Sequence, residues 1–269
     1  MRWVVTILLI LFLLYAAVCA AAYAYQARML FPAPPARDEA QLPAGAERLS
    51  LATPDGVRLI GVRLPAPVPD PQAPLLLAFG GNGWNADAAA DYLRQVYPQA
   101  EIVAFHFRGY RPSGGTPSSR ALEADSLLVH DKVARRFPGR PVVAIGFSIG
   151  SGVGAYLAGH RPLAGLILVT PFDSLTEVAV AQMPWLPVRL LFSNPMEPAA
   201  ALRGSRVPTA IFAAGRDELV AATRTEGLRR AVPNLVYDRT IPRVGHNGIY
   251  QVPAFQAGMR EALRKIREH

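Results

Sequence analysis

The feature that most limits how this chain can fold is the pentapeptide GFSIG at 146–150. An apolar run with strand composition precedes it, and a run rich in glycine and alanine with helical composition follows it. A G-x-S-x-G sequence between strand and helix is typical of a sharp turn that holds a serine with strained backbone torsions and its hydroxyl clear of the sheet. Glycines flank the serine because Cβ atoms there would clash where strand and helix meet. We therefore predict that Ser148 is a nucleophile, with a plain glycine-rich turn as the alternative.

Two residues at predicted strand ends would complete an activated serine. A serine hydroxyl needs a histidine base, which a carboxylate orients, and with this kind of turn the acid and then the histidine follow along the chain. Asp217 follows a predicted buried strand at 208–214, and Glu218 is the second choice for the acid. His246 follows the last predicted strand and opens the final predicted helix. The other four histidines lie in predicted helices, before a loop upstream of Ser148, or at the last residue.

A glycine-rich loop supplies a candidate for the remaining component, the oxyanion hole. The loop GGNGWN at 80–85 follows an apolar predicted strand at 75–79. Backbone N–H groups of the residue after the nucleophile and of such a loop stabilise the oxyanion of acyl transfer. We assign these donors to Ile149 and Asn82, with a loop that binds no ligand as the alternative. Neither G-x-G-x-x-G with a later acidic residue nor a phosphate-binding P-loop fits the chain, so nucleotide binding is disfavoured.

Further motifs indicate a family. Besides GFSIG they are DGVRL at 55–59, FGGNGWN at 79–85, RGYRPSGGTPS at 108–118, PFDSL at 171–175 and GHN at 245–247. In these motifs the chain resembles the membrane-anchored α/β-hydrolases of the Bem46-like, serine-aminopeptidase-like branch, over about residues 28–265. Gly80 stands where that branch usually has His, and Arg111 stands where it has Gly. The resemblance implies a serine hydrolase and leaves the substrate open.

The order of elements agrees with this resemblance. Strand-like and helix-like runs alternate, which predicts a mostly parallel central sheet with helices on both faces. The resemblance implies the α/β-hydrolase fold for residues 47–269, which we expect to open with an antiparallel hairpin around 55–56. Residues 173–206 form a predicted lid or cap segment between two strands. Its apolar, proline-broken stretch at 183–192 either covers an acyl pocket or packs on the sheet.

The N-terminal segment predicts where the domain works. Residues 3–27 carry no charge, and a stretch of about 20 apolar residues is long enough to cross a bilayer. We predict a membrane anchor at 1–27, a proline-rich linker at 28–46, and the catalytic domain on the periplasmic side of the inner membrane. The alternative is a cleaved signal peptide and a secreted protein, since small residues at 16–22 could form a cleavage site.

Composition excludes several other functions. One cysteine rules out an intramolecular disulfide, and no cysteine or histidine cluster has metal-ligand spacing, so we expect neither metal nor cofactor. The net charge of +8 comes almost wholly from scattered arginines without a basic run, which argues against a nucleic-acid partner. Abundant arginine, alanine and proline with little lysine are typical of a bacterial protein from a GC-rich genome.

These observations predict a serine hydrolase acting on a carboxylic ester, with a thioester or an amide as related substrates. The expected partners are a small-molecule or lipid-like acyl substrate and the membrane, and the sequence leaves the oligomeric state undetermined. An acyltransferase that uses the same residues is the nearest enzymatic alternative. A catalytically inactive, membrane-tethered binding module is the alternative from another class.

Overall fold

The computed structural model describes residues 1–34, 42, 45–70 and 72–269. Residues 35–41, 43 and 44 of the predicted linker at 28–46 therefore lie outside the described residues. Helix α1, Arg2–Leu30, is long and apolar enough to cross a membrane, and it extends past the predicted end of the anchor at residue 27. At 1.5 Å per residue the helix is roughly 43 Å long, against about 30 Å for the hydrocarbon core of a bilayer.

One sheet organises the rest of the described chain. Its strands are β1 Glu47–Ala52, β2 Arg58–Leu64, β3 Leu75–Phe79, β4 Glu101–Phe105, β5 Val142–Phe147, β6 Gly165–Val169, β7 Thr209–Ala214 and β8 Leu235–Ile241. They lie in the order β1-β2-β4-β3-β5-β6-β7-β8. The first two strands form the antiparallel hairpin predicted around residues 55–56, β2 also pairs antiparallel with β4, and all later pairs are parallel.

Helices cover both faces of the sheet, as predicted. Strands β3 to β7 are buried at every position, and their side chains divide between two apolar clusters, which is typical of a parallel sheet enclosed by helices. The helices after α1 are α2 Ala86–Val96, α3 Ser119–Arg136, α4 Ile149–His160, α5 Leu175–Gln182, α6 Val188–Leu191, α7 Pro198–Leu202, α8 Ala222–Ala231 and α9 Pro253–Arg267.

Hydrogen bonds at the helix starts explain some of these boundaries. The Asn85 side chain accepts from the N–H of Ala88 at 2.7 Å at the start of α2, and the Ser118 hydroxyl accepts from Ala121 at 3.2 Å at the start of α3. The last helix differs from the prediction. His246 does not open it but lies in a loop, followed by a short 3₁₀ turn at Ile249–Gln251 and then by α9.

The predicted cap segment at 173–206 contains three short helices, α5 to α7. Val188 is buried and Phe192 packs on the core, whereas Trp185 and Leu190 are 59% and 86% exposed. The stretch at 183–192 was expected either to cover an acyl pocket or to pack on the sheet. In the structure part of it packs on the core and part of it faces outward. It also contacts α1 through hydrogen bonds that the sequence did not reveal.

Candidate active site

Ser148 lies at the sharp turn between β5 and α4. Its backbone has φ of 50° and ψ of −115°, a conformation that costs energy for any residue except glycine. The flanking glycines permit the turn. A Cβ atom on Gly146 would lie 2.4 Å from the carbonyl oxygen of Gly150, and one on Gly150 would lie 2.3 Å from the carbonyl oxygen of Phe79. The turn thus has the steric features that the GFSIG sequence predicts.

The structure brings the three predicted side chains into one row. His246 Nε2 lies 2.8 Å from Ser148 Oγ, and His246 Nδ1 lies 2.8 Å and 2.9 Å from the two carboxylate oxygens of Asp217. His246 is only 2% exposed, so its ring is shielded from bulk water. A proton on Nδ1, facing the carboxylate, leaves the lone pair of Nε2 free to accept the serine proton.

The structure also distinguishes the two neighbouring acids. Asp217 follows β7, and its Oδ1 accepts the backbone N–H groups of Leu219 at 3.0 Å and Val220 at 2.7 Å, which hold the carboxylate toward the ring. Glu218 Oε2 instead accepts the backbone N–H of His246 at 3.0 Å. Glu218 therefore contacts the loop that carries the histidine, while Asp217 contacts the imidazole itself.

Of the two predicted oxyanion donors, Ile149 directly follows the serine, and Asn82 belongs to a loop that approaches it. Ile149 is the first residue of α4, so its N–H has no partner within the helix and lies at the positive end of the helix dipole. The loop after β3 approaches the same turn, since a Cβ atom on Gly81 would lie 3.7 Å from the Cβ of Ser148. Asn82 comes next in this loop, and its side-chain oxygen accepts the hydroxyl of Tyr110 at 3.3 Å. The oxyanion roles of the Ile149 and Asn82 N–H groups stay predictions.

The loop that carries Tyr110 is held by a buried ion pair. Arg108 donates to both carboxylate oxygens of Asp125 on α3, at 2.8 and 2.7 Å, and to Asp55 at the hairpin turn at 2.8 Å. Hydrogen bonds from Arg108 and then from Thr53 lower the pKa of Asp55 to about 2. The RGYRPSGGTPS motif thus connects the first hairpin, α3 and the loop beside Ser148.

Sequence reasoning missed two residues near the histidine. Thr170 directly follows β6, has φ of 48°, and its Oγ1 lies 3.4 Å from His246 Nε2. Burial raises the pKa of Tyr250 to about 12, although its hydrogen bond with Thr170 lowers it, and the nearby charge of Asp217 raises it further. The apolar run GLILV that directly precedes Thr170 was a usable signal, because parallel strands end at one edge of a sheet. Tyr250 had no comparable signal.

His106, which follows β4, lies apart from this row. Its Nδ1 accepts the N–H of Ala86 at 3.4 Å, and its Nε2 lies 3.5 Å from Asp87, too poorly placed for a hydrogen bond. Asp87 itself pairs with Arg48 at 2.6 Å. His106 is therefore a buried residue of the α2 region. Among the described residues, no three His, Cys, Asp or Glu side chains are grouped so as to hold a metal ion.

Comparison with known proteins identifies the family. Residues 74–196 match the alpha/beta hydrolase fold family. The chain is also 31% identical over 209 residues to an uncharacterized protein of Mycobacterium tuberculosis, a match that covers 77% of this chain and 74% of the relative. The chain belongs to the alpha/beta hydrolase family. The predicted fold class, with its mostly parallel sheet and helices on both faces, is therefore confirmed.

This alpha/beta hydrolase is also similar in sequence to a lipase and in fold to an esterase. The lysophosphatidylserine lipase ABHD12 of Rattus norvegicus is 32% identical over 116 residues, which cover 39% of this chain and 29% of that protein. The chain thus matches less than a third of the length of that relative. The solved structure of an esterase from Pyrococcus furiosus superposes with a TM-score of 0.68 and covers 87% of this chain and 96% of its own. At 18% identity, that likeness concerns the fold alone.

Proposed function

We propose that this alpha/beta hydrolase cleaves carboxylic esters through an acyl-enzyme formed on Ser148. The observation that carries the proposal is the row of short contacts from Asp217 through His246 to the Ser148 hydroxyl. Such a row activates a hydroxyl that is otherwise a weak nucleophile, whereas a serine with a purely structural role does not need a base and an acid beside it.

Each group has one chemical task in the first half of the reaction. Ser148 Oγ attacks the acyl carbon while His246 Nε2 takes its proton, and Asp217 stabilises the imidazolium that forms. The negative charge that develops on the carbonyl oxygen is stabilised by the N–H groups of Ile149 and Asn82. When the tetrahedral intermediate collapses, His246 returns the proton to the leaving alcohol, and an ester of Ser148 remains.

Water completes the cycle. His246 takes a proton from a water molecule, which attacks the acyl carbon of the Ser148 ester, and the same two N–H groups stabilise the second tetrahedral intermediate. Collapse of this intermediate releases the carboxylic acid and returns the proton to Ser148. A thioester or an amide would follow the same course with a different leaving group.

The favoured substrate is a lipid-like ester with one acyl chain. Two observations support this choice: the likeness to a lysophosphatidylserine lipase and the apolar helix α1, which is long enough to span a bilayer. The same observations suit the Bem46-like, membrane-anchored branch of the family. We place α1 in the inner membrane with the catalytic domain on the periplasmic side. Digestion of intact spheroplasts by an external protease should remove this domain, and its protection would contradict the topology.

Labelling with a fluorophosphonate probe tests the enzymatic role directly. The full chain in detergent should react, because the probe forms a covalent bond only with an activated serine. Ser148→Ala should abolish the reaction. Ser151→Ala is the matched control, since Ser151 lies in the same turn but its hydroxyl donates to the Ser148 carbonyl at 2.6 Å. A folded parent that does not react would refute the proposal.

A further inference from the structure

Helix α1 packs against the cap segment from Tyr15 onward. Tyr15 donates its hydroxyl to the carbonyl oxygen of Trp185 at 2.9 Å. Gln26 uses both ends of its amide, since Nε2 donates to the carbonyl of Leu191 at 3.1 Å and Oε1 accepts the N–H of Ser193 at 2.8 Å. At 1.5 Å per residue, Tyr15 and Gln26 are roughly 16 Å apart along the helix axis. The cap therefore follows α1 for about three turns.

A groove lies between these two elements. It encloses a cavity of about 180 Å³. Among the described residues that line it, the only polar side chain is Gln26, and its amide is already bonded to the cap backbone. A ligand in the groove would therefore contact hydrocarbon and thioether groups and would meet no free hydrogen-bonding side chain among the lining residues. Its walls include Ala22, Met29 and Leu30 from α1 and Met183, Leu186 and Phe192 from the cap.

The position of the groove along α1 indicates where its ligand comes from. A span of about 20 residues that begins at Trp3 ends near Ala22. Tyr15 then lies roughly 10 Å inside the hydrocarbon boundary, and the cap residue that it contacts lies at the same depth. The exposed Trp185 and Leu190 suit that environment, since aromatic and aliphatic side chains favour the membrane and its interface.

We infer that this groove binds the acyl chain of a membrane lipid, so that α1 forms one wall of a lipid site as well as an anchor. A hydrocarbon chain is the ligand that matches a lining without free polar side chains, and the two methionines can adapt to its shape. That the bound lipid is the substrate rests on the proposed function. On that basis α1 and the cap together select long acyl chains.

Photocrosslinking tests the groove without any need for hydrolysis. The probe is a lysophospholipid with a diazirine in its acyl chain, added to full-length Ser148→Ala protein in lipid vesicles. Ala22→Phe should abolish capture by cap residues, because the larger side chain fills the groove. Ala24→Phe is the matched control, since Ala24 is exposed and lies about 200° around the helix axis from Ala22. Equal capture by the cap in both variants would overturn the inference.

Chain-length selectivity gives the second readout. Ala22→Phe should lower the ratio of kcat/KM for a palmitoyl ester to kcat/KM for an acetyl ester by at least about tenfold, the effect expected when hydrocarbon is excluded from an apolar pocket. Ala24→Phe should leave that ratio at the parental value. Should Ala22→Phe fail to fold, Leu186→Trp fills the groove from the cap side and carries the same expectation. An unchanged ratio in the folded groove variant would overturn the assignment of the bound lipid as the substrate.

The two proposals can fail separately. Absence of fluorophosphonate labelling would refute the role of Ser148 and leave the crosslinking test intact, because that test uses the Ser148→Ala protein. An active enzyme whose cap captures the probe equally with and without Ala22→Phe would retain its proposed function and lose only the groove.

Discussion

Replacing Asp217 with asparagine tests the catalytic assignment most sharply, because the structure predicts how the new side chain will sit. Oδ1 of Asp217 accepts the backbone N–H groups of Leu219 and Val220 and also lies 2.9 Å from His246 Nδ1. Oδ2 has one hydrogen-bond partner among the described residues, His246 Nδ1 at 2.8 Å. An asparagine carbonyl should therefore keep the Oδ1 position, since the two backbone donors need an acceptor. The amide NH₂ then takes the Oδ2 position and faces the imidazole.

This arrangement favours the wrong tautomer of the histidine. Although the carbonyl remains near Nδ1, the NH₂ group takes the shorter contact of 2.8 Å, where an N–H on Nδ1 would oppose it. Nδ1 then becomes the acceptor for the amide, and the ring proton moves to Nε2, the nitrogen that lies 2.8 Å from Ser148 Oγ. A protonated Nε2 cannot take the serine proton. In a triad of the same kind the equivalent change lowers kcat by about 10⁴. At 1.36 kcal/mol per factor of ten, that loss corresponds to about 5 kcal/mol of transition-state stabilisation.

Glu218→Gln is the matched control for this experiment. Glu218 accepts only the backbone N–H of His246 near the site, at 3.0 Å, and a glutamine oxygen can accept the same bond. We therefore expect a loss within about tenfold, since one neutral hydrogen bond replaces one charged bond. Initial rates on p-nitrophenyl acetate would be compared for parent and variants whose folding is verified by thermal melts. Activity that survives Asp217→Asn and disappears in Glu218→Gln would reassign the acid to Glu218.

Two further predictions concern stability. A Cβ atom in Gly150→Ala would meet the Phe79 carbonyl oxygen at 2.3 Å, so urea denaturation should show a loss of about 1–3 kcal/mol. Gly204→Ala, where nothing lies within 4 Å, should change stability by less than about 0.5 kcal/mol, and equal losses would contradict the steric argument. Burial and then the charge of Glu197 raise the pKa of Glu123 from 4.5 to about 7. The protonated carboxyl therefore adds to the free energy of unfolding at low pH, and this contribution is lost as the pH rises through 7. Glu123→Gln should therefore raise Tm at pH 8 and have little effect near pH 4.5. Because the carboxyl is partly exposed, the gain in the free energy of unfolding at pH 8 should stay below about 1 kcal/mol. A Tm difference that does not depend on pH would refute the linkage.

Local chemistry made part of the site predictable. The GFSIG turn needs a serine with positive φ between two glycines, and the five consecutive residues 146–150 contain all three. The candidates Asp217 and His246 could be chosen because parallel strands end at one edge of a sheet, which collects the residues that follow them. The sequence pattern also predicted the hairpin around 55–56, which pairs as expected.

Other features depended on packing between distant segments. Which of the two adjacent acids faces the imidazole depends on how the loop after β7 folds against the loop after β8. Asp217 and Glu218 are neighbouring carboxylates, so their positions in the sequence do not distinguish their roles. The position of Thr170 beside the histidine, the position of Tyr250 beside Thr170, and the docking of α1 on the cap likewise join segments far apart in the chain.

By itself, then, the sequence determined the fold class, the sharp turn that carries Ser148 and the set of candidate residues, because hydrophobic periodicity and turn chemistry act over a few neighbouring residues. Only the tertiary structure decided that Asp217 rather than Glu218 contacts the ring, and that the apolar N-terminal helix shares a groove with the cap. These outcomes depend on side-chain packing between elements separated by up to about 170 residues, and no local pattern encodes such distances.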